Sequence, residues 1–86
     1  MQNVNWSRSI IAEELEDTIK FGGLADRWDK IRTKEVDSKG KSFYQLKFNG
    51  GTVKVYGPRF VLVNRDACRS VEEAKRVLQF EYIHEF

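Results

Sequence analysis

The sequence predicts an α+β fold: an N-terminal helix, a three- to four-stranded antiparallel meander, and a C-terminal helix packed on one face of the sheet. Three observations lead there. Apolar residues recur every three or four positions towards both ends of the chain. They alternate with polar residues through the middle. Glycine-bearing turns cut that middle into strand-sized pieces. The 86 residues are read as one domain, 1–86. A core this small depends on every large apolar side chain.

The first helix is expected from about Ser9 to Lys20. Ile11, Leu15 and Ile19 form one apolar stripe, and Ser7 or Ser9 supplies the cap. Gly22-Gly23 ends it, because glycine accepts a left-handed backbone. The acids from Glu13 to Asp17 are expected to face water. Leu24, Trp28 and Ile31 repeat the helical spacing. This stretch is either a second short helix or the start of a strand, and period alone does not separate the two. Strand character begins at Thr33, and Ser38-Lys39-Gly40-Lys41 is a turn. Phe43 to Phe48 alternates, as does Thr52 to Tyr56. Asn49-Gly50 between them predicts a type I′ hairpin, with Lys47 and Lys54 facing each other across it. Gly57-Pro58 turns the chain again, and the apolar run from Phe60 to Asn64 suits a deeply buried strand. Ser70-Val71-Glu72-Glu73 is a capping box that opens the last helix. Val71, Ala74, Leu78 and Tyr82 line one face of it, with Val77 beside them.

Composition narrows the function. The chain is 41% hydrophobic and 33% charged, as globular proteins are. No apolar run approaches the roughly 18 residues of a membrane span, so no membrane contact is expected. The opening MQNVNWSRSI lacks the basic-then-apolar order of a signal peptide. One cysteine, Cys68, allows no internal disulfide. Together these point to a reducing, cytoplasmic setting.

The net charge of +2 hides a segregation. Residues 1–26 carry −3, residues 27–65 carry +7, and residues 66–86 carry −2. The middle of the chain is basic and both ends are acidic, a pattern that speaks to partners more than the total does. With Tyr44, Leu46, Phe48, Val53 and Val55 under the helices, the opposite face should bear Phe43, Gln45, Lys47, Thr52, Lys54 and Tyr56. Like charges on adjacent strands cost up to about 1 kcal/mol, a cost that an anionic partner reverses. Arg32 and Lys34 precede this face, Lys39 and Lys41 stand in one turn, and Arg59 stands in another. Lysines and arginines that follow phosphates, with Phe43 and Tyr56 stacking bases, make a nucleic-acid binding surface for DNA or RNA.

A protein-interaction module is the alternative. The tail holds Phe80, Tyr82, Ile83 and Phe86, and with the acidic helices it would grip a larger protein or a second copy of the chain. A small inhibitor or adaptor, such as an accessory protein of a virus or mobile element, fits that reading.

Catalysis finds little support, and the chain is read as non-enzymatic. The only histidine, His84, is near the terminus, far from any nucleophile. Cys68 precedes Arg69 and a helix N-terminus, both of which lower a thiol pKa. It has no imidazole partner in sight, and a buried structural role suits it better. One cysteine and one histidine do not make a zinc site. No glycine-rich loop opens a helix in the way that nucleotide binding requires. No metal or cofactor is expected.

Overall fold

In the computed structural model, which describes residues 7–83, Ser7 leads into helix α1 (Arg8–Phe21). The Ser7 hydroxyl accepts the Ile10 amide at 3.3 Å, a cap worth about 1 kcal/mol. Ile11, Ala12, Leu15 and Ile19 are wholly buried. The helix ends at its glycines. Gly23 takes φ 72°. Its amide then bonds the Lys20 carbonyl, and the Leu24 amide bonds the Ile19 carbonyl. This is the paired ending of a Schellman motif, and it delivers Leu24 into the core. The stretch around Trp28 settles as a single 3-10 turn, Trp28–Lys30, with Ile31 buried behind it.

Five strands follow: β1 (Arg32–Val36), β2 (Ser42–Phe48), β3 (Gly51–Gly57), β4 (Phe60–Val63) and β5 (Asp66–Cys68). They pair antiparallel in chain order, β1-β2-β3-β4-β5. Helix α2 (Val71–Glu81) closes the chain. Ser70 caps it, accepting the Glu73 amide at 3.0 Å, while the Glu73 carboxylate takes the Arg69 amide at 2.9 Å. α1 packs on β2 and β3, α2 packs on β4 and β5, and the two helices touch. Leu46, Val53, Val55, Val61, Val63 and Cys68 meet them in the core. The α+β architecture is the expected one, with one strand more than expected. β5 spans only three residues, Asp66-Ala67-Cys68, too few for an alternation to register.

Register corrects the reading of the charges. Lys47 stands opposite Thr52, and Lys54 stands opposite Gln45. The two lysines are diagonal neighbours and do not face each other. Arg32 pairs with Leu46, and Lys34 with Tyr44. Cross-strand partners share a face, so both cations lie on the helix side of the sheet. Arg32 there reaches Glu16 at 3.6 Å, and Lys20 reaches the same carboxylate at 4.0 Å. Glu16, expected in water, is therefore buried beneath its partners. β4 is buried on one face only: Val61 and Val63 are enclosed while Phe60 is exposed and Leu62 half-buried. Leu62 shares the uncovered face with Lys54.

The turn at Asn49-Gly50 is not type I′. The positive φ falls on Gly51, at 143°, and on neither central residue. Long-range bonds shape this turn. The Asn49 amide is tied to the Leu24 carbonyl at 2.7 Å. Asn64, itself left-handed at φ 55°, turns its side chain into the loop. Its Oδ1 accepts the Thr52 amide at 3.1 Å, and its Nδ2 donates to the Gly50 carbonyl at 3.1 Å and the Tyr82 hydroxyl at 2.7 Å. A Cβ on Gly51 would collide with the Asn64 amide group, and one on Gly50 with the Tyr82 ring.

Replacing Asn64 by alanine strands these partners and leaves a non-glycine residue at positive φ. The expected loss is about 2 kcal/mol. For a domain of this size that lowers Tm by roughly 8–16 °C. Asn64→Gly, which tolerates the backbone, should recover only part of the loss. Thermal melts that match the wild type for both variants would contradict this account.

Candidate nucleic-acid interface

Consecutive antiparallel strands return alternate turns to the same end of a sheet. The β1–β2 turn and the β3–β4 turn therefore lie side by side. The start of α1 joins them: Arg8 Nη1 donates to the Ser42 carbonyl at 2.6 Å and contacts its hydroxyl at 2.7 Å. Between them is a depression of about 770 Å³ walled by Arg8, Lys39, Lys41 and Arg59 together with Tyr56 and Phe60. Four cations face one carboxylate there, that of Asp37.

Asp37 organises the β1–β2 turn, and its single charge offsets only part of the charge of the four cations. Its Oδ1 accepts the amides of Lys39 and Lys41, each at 2.9 Å, and its Oδ2 accepts the Tyr56 hydroxyl at 3.3 Å. Gly40, at φ 82°, lets the chain wrap round the carboxylate. These hydrogen bonds, led by the Lys41 amide, hold the Asp37 carboxyl below the ordinary 3.8. The Tyr56 hydroxyl is pushed up, first by burial and then by the charge of Asp37, so it remains a neutral donor. The ion pairs among the described residues are Lys20–Glu16, Arg27–Asp29, Arg32–Glu16 and Lys75–Glu14. None of them takes a cation of this basin.

Of the cations and aromatics expected to form one surface, Lys39, Lys41, Tyr56 and Arg59 converge here. The others disperse. Arg32 donates to the Ser9 carbonyl at 3.3 Å besides its pairing with Glu16, and with Lys34 it lies against the Tyr44 ring. Lys34 lines a smaller depression beside Ser7 and Arg8. Lys47 stands at the far end of the sheet, next to Asn49, Arg27 and Lys30. Lys54 extends over the Phe43 ring at 5.6 Å.

Phe43 is only 6% exposed, although it lies on the uncovered face. The Tyr56 ring stacks on it at 4.9 Å, and the lysine stem covers more of it. Its face is already occupied, so it is not free to stack on a base. Phe60 is the ring that offers an open face. It is 45% exposed and tilts against Tyr56 at 5.3 Å. A register shift between Val55 and Gly57 brings it there, opposite Gly57. Arg8 and Phe60 carried no signal in the basic segment. Arg8 lies outside it, and Phe60 opens a run that reads as core. The one available hint was Phe60 directly after the turn residue Arg59.

The aromatic tail divides. Phe80 is 79% exposed. Tyr82 turns inward, edge-on to Phe48 at 5.0 Å, and Ile83 packs against the core. Phe86, like His84, lies outside the described residues. Phe21, the last residue of α1, and Trp28 form an exposed edge-to-face pair at 6.1 Å. Cys68 is buried, and its thiol is pushed up to about 11, by burial first and then by Glu73, Asp66 and Glu81. Arg69 and the helix N-terminus, expected to lower it, are outweighed. Among the described residues no group of three or more His, Cys, Asp or Glu is placed to hold a metal ion. No described helix is long and apolar enough to cross a membrane.

Two measurements check this geometry. The Lys39 and Lys41 amide resonances should titrate together with a midpoint below 3.8, as acid protonates the Asp37 acceptor. The turn is thus fully ordered above that value and loosens as pH falls through the midpoint. A midpoint at or above 3.8 would contradict the account. Cys68 should alkylate roughly a hundredfold more slowly than free cysteine at neutral pH, until the protein is denatured. Comparison of the chain with protein-family models, curated proteins and solved structures gives no significant match, so the reading of function rests on this geometry.

Proposed function

We propose that this protein is a non-enzymatic module that binds nucleic acid, seating phosphates in the basin between the β1–β2 and β3–β4 turns. One observation carries the reading: Arg8, Lys39, Lys41 and Arg59 surround a single depression with Tyr56 and Phe60 in its wall. Cations drawn together by a fold repel one another, and an anion placed among them reverses that repulsion. Phosphate contacts of this kind supply most of the affinity in sequence-independent binding. The acidic side chains Glu13 and Asp17 are exposed on α1. They repel a polyanion from the helical layer and favour approach from the basin end. Arg32, Lys34, Lys47 and Lys54 add to the field without touching the ligand. A reducing, cytoplasmic setting suits the single cysteine.

The alternative, docking on a larger protein, draws on Phe80, which stands out from α2. Tyr82 and Ile83 are committed to the protein's own packing and add little to such a surface. Phe80→Ser separates the two readings, since it should leave nucleic-acid affinity unchanged.

Lys39→Glu combined with Lys41→Glu should weaken oligonucleotide binding at least thirtyfold, by removing two contacts and reversing their sign. Lys47→Glu with Lys54→Glu, at the far end and middle of the sheet, should weaken it less than about fivefold. With four phosphates neutralised, wild-type affinity should fall roughly 50- to 150-fold between 50 and 200 mM salt. Equal losses in the two double variants, or an affinity indifferent to salt, would overturn the proposal.

A further inference from the structure

The basin does not end at Phe60. β5 runs antiparallel to β4, with Cys68 opposite Val61. Its last residue therefore returns to the basin end, and Arg69 follows it. There a second depression, of about 330 Å³, is walled by Arg59, Phe60, Ala67 and Arg69. It shares Arg59 and Phe60 with the first. Cations thus stand on both sides of one exposed aromatic ring.

That ring ends a series. Phe43 is buried, Tyr56 stacks on it at 4.9 Å and 25°, and Phe60 tilts on Tyr56 at 5.3 Å and 40°. Burial falls along the series, from 6% exposure at Phe43 to 45% at Phe60. Each ring supports the next, so Phe60 is braced from beneath with its outer side in water. A planar apolar ligand continues that series at little ordering cost.

We propose that the two depressions form one track for single-stranded nucleic acid. An unpaired base stacks on Phe60, with phosphates held by Arg59 on the near side and Arg69 beyond. The inference rests on the nucleic-acid reading above and specifies its ligand. A duplex keeps its bases stacked on one another and offers no face to Phe60, whereas a single strand exposes them. Glu35 shares the uncovered face with Phe43, opposite it on β1. Its charge turns a strand away from β1 and towards β4 and β5.

Fluorescence anisotropy with three probes of equal phosphate number tests this: an oligothymidylate, an abasic strand and a hairpin duplex. The oligothymidylate should bind roughly ten- to a hundredfold more tightly than the abasic strand, the range that base stacking supplies, and more tightly than the hairpin. Phe60→Leu keeps an apolar cover on Tyr56 but removes the ring. It should erase the preference for bases, bringing oligothymidylate affinity down to that of the abasic strand. Arg69→Gln should weaken both single strands several-fold. Equal affinity for oligothymidylate and abasic strand, or tighter binding of the hairpin, overturns the single-strand track while leaving phosphate capture intact. Failure of all three probes to bind overturns both.

Discussion

Strand parity governs this molecule. In a meander, every second connection emerges at the same end of the sheet. Two turns about twenty residues apart in sequence therefore become neighbours, and the strand that follows returns to the same place. Lys39 and Lys41, Arg59 and Arg69 come from three separate connections, and they stand at one end of the sheet because β1 to β5 alternate in direction without interruption. α1 starts at this end as well and adds Arg8. No residue in the group is close in sequence to all the others.

The same parity assigns stability to the opposite end. There the β2–β3 turn with its Gly50 and Gly51, Asn64 after β4, and Tyr82 after α2 are locked together by hydrogen bonds from the Asn64 side chain to the Thr52 amide, the Gly50 carbonyl and the Tyr82 hydroxyl. Those glycines leave no room for side chains. One end of the sheet thus carries the Asn64 network, while the other carries exposed cations around a turn ordered by Asp37. The separation matters in a domain whose total stability is only several kcal/mol. Charge changes in the basin leave the core untouched, because none of its cations is ion-paired among the described residues.

Much of the scaffold was legible from residue order. Ser7, Gly22-Gly23 and Ser70 to Glu73 mark helix ends through local chemistry, and local chemistry is what a sequence displays directly. The stripe of Ile11, Leu15 and Ile19 is likewise local. What was not legible depends on distant partners. The Asn49-Gly50 turn departs from type I′ because Asn64 and Leu24, remote in sequence, supply its hydrogen bonds. Phe43 alternates onto the uncovered face as expected, yet Tyr56 and Lys54 bury it. Arg32 belongs to the basic segment but pairs with Glu16 of α1. β5 is too brief to show a period. The charge map identified a basic segment, but only the register shows which of its cations gather, and Arg8 and Arg69 lie outside it.

The central claim is that one end of the sheet, and not its whole uncovered face, meets the ligand. Mapping backbone amide perturbations during titration with an oligothymidylate tests it most directly. The account predicts the largest shifts at residues 39–41, at Arg59 and Phe60, and at Arg69, with Lys47, Asn49 and Asn64 little changed. Shifts centred on Lys47 and Asn49, or spread evenly along β2 and β3, would contradict it.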